Sequence, residues 1–213
     1  EACGALSVHG TSKSAPFAFK GSAVRQDGRS ASLTAPSGIA QQGLIIAALA
    51  DSASAVDSLA LIELHGTGTA LGDPIEADSL ADALLTKRKD DLVLGGVKAN
   101  IGHAEPAAGM SGLLKLLSCL LSGHLAPNAQ LHAVNAHVKC VVQDQPCCLA
   151  THSLAVSTMD RLMGGVSSFG YSGTITHATL MFRNESCEMK SGLYVRKAFR
   201  RCEFLWRDQL HPF

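Results

Sequence analysis

Apolar runs and helically spaced apolar residues alternate along the chain, and this alternation predicts a layered α/β fold. Continuous or alternating apolar stretches predict strands at 5–10, 17–24, 58–64, 92–99, 148–157, 161–170 and 176–182. Apolar residues at helical spacing predict helices over 39–53, 74–87 and 105–123. Ser37 is placed to cap the first helix, Pro74 lies in the first turn of the second, and the third is apolar on most sides. Strands that alternate with helices indicate a sheet covered by helices.

Composition adds few constraints beyond those of an ordinary globular domain. The chain has 213 residues, is 46% hydrophobic and 17% charged, and carries no formal net charge. This length suits one large domain or two small ones, and the charge balance gives no reason to expect nucleic acid or an anionic membrane as partner. No apolar run is long enough to span a bilayer, so we expect no membrane span. The chain begins Glu-Ala-Cys-Gly, without an initiating methionine or a signal sequence, and we expect it to be a fragment of a longer polypeptide.

The seven cysteines are odd in number and follow no regular spacing. This favours a reduced intracellular protein, with the cytoplasm as the expected compartment and an organelle as the alternative. The sequence has no C-x-x-C and no H-E-x-x-H, and the spacing of His132 and His137 does not place them on one face of a helix. We therefore predict no metal site.

The residues after 186 differ in character from the rest of the chain. They mix basic and aromatic side chains without a clear period, as in "FRRCEFLWRDQLHPF" (199–213). Such a stretch could bind single-stranded nucleic acid by charge and stacking, or form an extended linker whose rings pack on the parent domain. The neutral charge of the chain favours the linker. We therefore divide the chain into a domain at 1–186 and a linker at 187–213.

Three glycine-rich turns follow predicted strands, and these turns are where α/β proteins place reactive groups. They read "HGTGTALGD" (65–73), "NIGHAEPAAG" (100–109) and "SSFGYSGTITH" (167–177). Their glycine spacing matches neither G-x-G-x-x-G nor G-x-x-x-x-G-K-[ST], which argues against a nucleotide site. The first two turns each contain a histidine beside glycine, His65 and His103. Lys98 and Glu105 flank the second histidine and could fix its protonation and orientation.

Five ordered segments between residues 1 and 183 resemble the β-ketoacyl synthases, the condensing domains of type I polyketide and fatty-acid synthases. The two histidine motifs are "HGTGTALGDPIEA" (65–77) and "VKANIGHAEPAAGMSGLLKLL" (97–117). The other three segments are "GSAVRQDGRSASLTAPSGIAQQ" (21–42), "PNAQLHAVNAHV" (127–138) and "GGVSSFGYSGTITHATL" (164–180).

The resemblance implies a thiolase-like fold, layered αβαβα, of which this chain is the C-terminal half. It also implies decarboxylative Claisen condensation: an acyl-cysteine is attacked by the enolate that a malonyl thioester leaves on losing carbon dioxide. His65 and His103 match the family's two histidines, Lys98 the lysine that supports the second, and Glu105 the acid near it. The resemblance further implies that the phosphopantetheine arm of an acyl carrier protein is held by other residues: Thr67, Thr69, Asn100, Phe169 and Tyr171. The backbone N–H of Tyr171 matches an oxyanion-hole donor.

The family's nucleophilic cysteine has no counterpart here, since no T-A-C-S-S-like motif occurs. Cys3 lies in a stretch that resembles a packing strand, and Cys119 lies within the apolar helix. We expect the nucleophile, with the N-terminal half, to lie outside this chain. The fragment alone is expected to be inactive and, because its apolar helix would lack cover, poorly soluble. The complete domain is expected to dimerise.

The closing turn also departs from the family pattern. Ser172 stands where a glycine is usual and Ile175 where an asparagine is usual. Two interpretations follow: the distal half of an active acyltransferase, or a ketosynthase-like partner or decarboxylase-only domain without a usable cysteine. Retention of both histidines with Lys98 favours the enzyme, because a purely structural protein needs no pair of neutral donors.

Overall fold

The computed structural model describes residue 4 and residues 6–8, 15–28, 35–129, 131–155 and 161–183. Its strands are β1 (Phe17–Gln26), β2 (Leu59–Glu63), β3 (Leu92–Gly95), β4 (His124–Leu125), β5 (Cys147–Leu149), β6 (Leu154–Ala155), β7 (Arg161–Phe169) and β8 (Thr174–Arg183). Its α-helices are α1 (Gly38–Ser52), α2 (Gly72–Ala83), α3 (Lys98–Ile101), α4 (Ala108–Ser122) and α5 (Ala136–Val142). Single 3₁₀ turns lie at Val56–Ser58, Leu85–Lys87 and Glu105–Ala107.

Six of the strands form one mixed sheet in the order β1-β8-β7-β2-β3-β5. The strands β7, β2, β3 and β5 run parallel to one another, whereas β8 is antiparallel to both β7 and β1. The carboxyl ends of β2, β3 and β7 therefore meet at one edge of the sheet. Ligands of open α/β sheets bind at such an edge, and the three glycine-rich turns all leave from it or next to it.

Helices cover both faces of the sheet, and each face has its own core. Side chains of α1 and α2 pack with β2 and β3 in one cluster, which includes Leu49, Ile62 and Leu84. Side chains of α4 pack with β2, β7 and β8 in the other, which includes Leu61 and Leu116. Because Leu61 and Ile62 are neighbours in a strand, they point to opposite faces, and both are fully buried. The predicted α/β layering is confirmed.

The helix predictions are confirmed in position, with differences at their ends. Ser37 caps α1 as predicted, its Oγ accepting a hydrogen bond of 3.3 Å from the backbone N–H of Ala40. The predicted 74–87 helix begins earlier, at Gly72, and passes into a 3₁₀ turn after Ala83. The predicted 105–123 helix opens with a 3₁₀ turn, and its α-helical part starts at Ala108.

Three strand predictions need correction. The chain leaves the sheet after Gly95 and turns into α3, so the strand predicted over 92–99 is half that length. The described part of the stretch 148–157 holds two short strands in different sheets, since β5 joins the main sheet while β6 pairs with β4. Residues 6–8 lie outside any strand, and the rest of the predicted 5–10 strand is not described.

The linker predicted at 187–213 lies outside the described residues, so it stays a prediction. Among the helices of the described residues, none is long and apolar enough to cross a membrane.

Candidate active site

The ends of β2 and β3 bring the two histidines together. His65 follows β2 and His103 follows α3, and their ring centroids lie 5.9 Å apart with the rings nearly perpendicular, at 88°. The ring of Phe169, at the end of β7, lies 5.1 Å from that of His65. Three parallel strands thus deliver three of the predicted site residues to one place.

Both imidazoles are oriented by main-chain N–H groups. The N–H of Phe169 donates to Nδ1 of His65 over 3.3 Å, and the N–H of Glu105 donates to Nδ1 of His103 over 3.2 Å. A ring nitrogen that accepts a hydrogen bond carries no proton, so in the neutral rings the proton lies on Nε2. Each histidine therefore presents an Nε2–H donor.

His65 is held in its neutral form. Burial, then the positive charge of Lys98 and the neighbouring His103, lower its pKa from 6.5 to about 4. An uncharged imidazole at neutral pH can donate a hydrogen bond to a developing oxyanion without delivering a proton to an adjacent carbanion. His103 is exposed at the same edge of the sheet.

Two charged side chains fix the backbone around His65. The carboxylate of Glu76, which is 6% exposed, accepts hydrogen bonds of 2.7 and 2.8 Å from the N–H groups of His65 and Gly66. The ammonium group of Lys98 donates to the carbonyl oxygen of His65. Burial lowers the pKa of Lys98. The negative charge of Glu76 opposes this shift more strongly than those of Glu63 and Asp73. Lys98 thus contacts the first histidine, whereas the resemblance had suggested support of the second.

The sequence interpretation gave Glu76 no role, although it lies within the first histidine motif. Desolvation is the largest effect on its carboxyl and raises its pKa to about 7, while the two N–H donors act in the opposite direction. An acidic residue in the opening turns of a helix that follows a reactive turn is a usable signal, because it can reach back to the N–H groups of that turn.

The two threonines of the first motif contact each other, with 3.3 Å between their hydroxyl oxygens. Thr69 Oγ1 also accepts a hydrogen bond of 3.0 Å from the N–H of Gly72, at the start of α2. Asp73 completes this loop by accepting from the N–H of Gly68 over 3.1 Å. One acceptor lone pair of Thr69 is therefore used in local structure. The predicted binding of a pantetheine arm would use the donor and acceptor positions of the two hydroxyls that remain free.

The remaining predicted residues lie around the same edge. Asn100 donates to the carbonyl oxygen of Pro127 over 3.0 Å, which ties α3 to the segment after β4. The side chain of Tyr171 is 88% exposed. Glu105 is exposed and has a backbone φ of +27°. Its described contact with the site is through its N–H, and its carboxylate forms no ion pair with any described residue.

A cavity of about 460 Å³ lies beside the histidines, between β3, α2 and α5. Its wall is mainly apolar and includes Leu80, Leu94 and Val138. Its polar lining includes Lys98, Glu76 and His103, which lie at or beside the two histidine turns. A mostly apolar hollow with a few convergent polar groups is the usual form of a small-molecule site.

The chain is similar to known proteins. A sequence profile described as "Beta-ketoacyl synthase, C-terminal domain" matches residues 17–132, more than half of the chain. A phenolphthiocerol/phthiocerol polyketide synthase protein of Mycobacterium tuberculosis is 40% identical over 163 residues, which is 76% of this chain and 7% of that protein. The spectinabilin polyketide synthase system protein NorA' of Streptomyces orinoci is 43% identical over 165 residues, 76% of this chain and 4% of that protein.

A solved structure agrees with these sequence relatives. The ketosynthase from module 6 of the bacillaene synthase of Bacillus subtilis 168 superposes with a TM-score of 0.72 and 34% sequence identity. The superposition covers 77% of this chain and 30% of that one.

The fold and the paired strand-end histidines thus define a ketosynthase-type α/β domain with the thiolase-like fold. The chain belongs to the β-ketoacyl synthase family, within which it corresponds to the C-terminal domain. It spans less than a tenth of the length of these polyketide synthases and about a third of the solved ketosynthase.

Proposed function

We propose that this chain supplies the two-histidine half of the active site of a condensing acyltransferase. In the reaction, a cysteine thiolate attacks the carbonyl of an acyl thioester, takes the acyl group and releases the carrier as a thiolate. A malonyl-type thioester then loses carbon dioxide, and the electrons of the broken C–C bond form an enolate. The enolate carbon attacks the acyl-cysteine carbonyl, a new C–C bond forms, and the cysteine thiolate leaves.

The single observation that carries this proposal is the pair of Nε2–H donors. His65 and His103 lie close together, and each has its Nδ1 occupied by a main-chain N–H. Decarboxylation places negative charge on the thioester oxygen, and two preorganised Nε2–H donors stabilise that charge more in the transition state than in the substrate. Lys98 and Glu76 act as positioning residues that hold the His65 backbone.

The nucleophile is proposed to come from the N-terminal half of the domain. Among the described cysteines, Cys119 is buried in α4, and burial raises the pKa of its thiol. Burial likewise raises the pKa of Cys147 to about 11, with the nearby Asp91 adding to the effect. A nucleophilic cysteine requires the opposite shift, toward the thiolate.

The substrates are proposed to arrive on the phosphopantetheine arm of an acyl carrier protein, as the relatives' assignment as polyketide synthases suggests. The proposed contacts to the arm are Thr67, Thr69, Asn100, Phe169 and the main chain at Tyr171. We further propose that the complete domain forms a homodimer in a reducing intracellular compartment. No bound cofactor or metal is needed for the steps above.

The test uses the complete ketosynthase that contains this chain, with a His103→Ala variant. We expect malonyl-thioester decarboxylation to fall by a factor of about 100 or more, because one of two oxyanion donors is lost. Transfer of an acyl group to the cysteine should stay measurable by mass spectrometry. A His132→Asn variant, changed at an exposed histidine remote from both turns in sequence, serves as the control.

Two results would contradict the proposal in different ways. Decarboxylation that continues unchanged in His103→Ala would remove the assigned role of the histidine pair. A wild-type protein that decarboxylates malonyl thioester but never forms an acyl-enzyme would be the decarboxylase-only domain instead.

A further inference from the structure

A buried ion pair lies directly beneath the two histidine turns. Glu63 Oε2 and Lys115 Nζ are 2.8 Å apart, and their side chains are only 1% and 10% exposed. Glu63 is the last residue of β2, two positions before His65, and Lys115 lies in the middle of α4. Burying both charges has a large desolvation cost, and an apolar pair of similar volume often stabilises a fold as well or better. Stability alone is therefore a weak reason for this pair.

The surrounding backbone leaves room for the pair. A Cβ atom at Gly95 would lie 2.9 Å from both the Glu63 carboxylate and the Lys115 ammonium. A Cβ at Gly112 would lie 3.4 Å from Cγ of Glu63. Strands β2 and β3 and helix α4 thus meet at the ion pair with no bulky side chain between them.

The other carboxylate oxygen reaches the second histidine turn. Oε1 of Glu63 accepts a hydrogen bond from the N–H of Val97, a buried residue at the N-cap of α3. The next residue, Lys98, donates to the carbonyl oxygen of His65, and α3 then leads to His103. One side chain therefore joins the strand that ends in the first histidine to the helix that leads to the second.

We propose that the Glu63–Lys115 pair is a positioning device for the two-histidine site. The Glu63 carboxylate fixes the start of α3 relative to the end of β2, and so sets the distance between the two imidazoles. The Lys115 ammonium keeps that carboxylate charged and directed into the interior. This inference rests on the proposed decarboxylation only for its kinetic readout, because the separation of the rings can be measured directly.

The experiment compares two double variants in the complete ketosynthase. Glu63→Gln with Lys115→Met removes both charges but keeps a side-chain oxygen that can accept from Val97. Glu63→Met with Lys115→Met removes the charges and the acceptor at nearly the same volume. The matched control, Asp82→Asn with Lys139→Met, removes one acidic and one basic charge at exposed positions on α2 and α5.

We expect the Gln/Met variant to decarboxylate malonyl thioester within about five-fold of the wild-type rate. The Met/Met variant should lose a factor of about 100, as small misplacements of reacting groups do, while acyl transfer to the cysteine changes little. Its melting temperature should be no lower than that of the Gln/Met variant. A purely structural role would instead lower both reaction steps and the melting temperature together.

Crystal structures of the two variants give the readout that is independent of activity. In Met/Met the separation of the His65 and His103 ring centroids should depart from 5.9 Å by about 1 Å or more, and in Gln/Met it should not. Unchanged rings with equal decarboxylation rates in both variants would overturn the inference. Absence of decarboxylation in the wild type would instead refute the proposed function, and the ring separations would still decide on the positioning role.

If the Met/Met protein does not fold, Lys115→Met alone decides the question. Among the described residues, Lys98 is then the basic side chain that still acts on Glu63, and the unpaired charge of Glu63 is poorly tolerated in the interior. We expect decarboxylation in this variant to decline, relative to wild type, as pH rises across the range in which the protein stays folded and Glu63, whose pKa burial raises, ionises. The pH profile of acyl transfer should not change. A constant ratio of the two decarboxylation rates across that range would overturn the inference.

Discussion

At the scale of single residues, the site depends on which ring nitrogen carries the proton. Nδ1 of His65 and Nδ1 of His103 both face a main-chain N–H, so both rings present the same Nε2–H. The resemblance gives Glu105 as the acid near the second histidine; its side chain is exposed, and its N–H makes the described contact to the ring. A positive φ at a residue with a side chain is energetically unfavourable, and here it accompanies the N–H contact to the ring.

A third histidine, His177, allows the effect of a buried, neutral imidazole to be measured through protein stability, without an enzyme assay. His177 in β8 is 1% exposed, with its Nδ1 2.9 Å from the hydroxyl of Ser167. Its Nε2 is buried and has no hydrogen-bond partner among the described residues. Burial lowers its pKa from 6.5 to about 4. Such a group favours the folded state while it is neutral, and the benefit is lost as pH falls from about 6.5 to about 4.

We predict that His177→Asn lowers the free energy of unfolding at pH 7, and that its difference from wild type shrinks by about 3 kcal/mol as the pH falls to 4. Denaturant unfolding of the complete domain at several pH values measures this. Asparagine keeps a polar atom near Ser167 but does not titrate. The exposed His132→Asn should show no such change, and a pH-independent difference for His177→Asn would contradict the prediction.

At the scale of elements, close contact between β1 and α1 supports the edge of the sheet. A Cβ at Gly21 would lie 2.4 Å from the backbone nitrogen of Ser52 and 2.5 Å from the carbonyl oxygen of Ala48. The N–H of Ser22 also donates to Asp51 over 2.9 Å. Strand and helix backbones thus approach so closely that only glycine fits at position 21.

We predict that Gly21→Ala destabilises the domain by about 3 kcal/mol, because the added methyl group meets backbone atoms that cannot move aside. Urea unfolding of the complete domain measures the change. Gly38→Ala is the matched control, since a Cβ there meets only side chains at 3.4 Å or more and the residue opens a helix. Equal stability of the two variants would contradict the prediction.

The helices and strands with strong apolar patterns could be predicted from the sequence. So could the glycine-rich turns that follow the strands and carry the histidines. Helices α1 and α4 have clear apolar periods, and β2 is a short apolar run before a histidine. The strand predicted over 92–99 was wrong in its second half, because an apolar run does not reveal that the N–H of Val97 binds Glu63, on another strand. Helix α5 was not predicted, since it is short and lacks a buried stripe.

The Glu63–Lys115 ion pair was missed for a physical reason. Glu63 stands in an apolar strand, and its partner Lys115 lies far along the chain in an apolar helix. The local sequence pattern indicates that a residue is buried, but it does not indicate which distant residue carries the opposite charge that pairs with a buried charged side chain. The histidines were found because each lies beside glycines at a strand end, which is a local signal.

At the scale of the whole molecule, one sheet lies between α1 and α2 on one side and α4 on the other. The outer surface of α4 is apolar in places, with Leu114 and Leu121 being 39% and 46% exposed. A layered αβαβα fold would place further structure against this helix, as the family assignment implies. Apolar residues exposed together on one helix favour association with another surface.

We predict that the 213-residue chain expressed alone is poorly soluble or self-associating, because Leu114 and Leu121 of α4 are exposed in the part of the chain that the structure describes. Sedimentation velocity and light scattering across a range of concentrations measure this. Leu114→Gln with Leu121→Gln should increase the monomeric fraction, while Val24→Gln, a change at an exposed position on the edge strand β1, should not. A wild-type monomer with a sharp cooperative melt would contradict the prediction.

The main-chain origin of the imidazole contacts has a consequence for mutational tolerance. Every amino acid except proline has the N–H that position 105 or 169 offers to its histidine. In a saturation library, the protonation pattern of the pair should therefore survive most side-chain replacements at these two positions. The protonation of the two imidazoles thus depends less on the side chains beside the histidines than on the path of the backbone. The packed core of sheet and helices maintains that path.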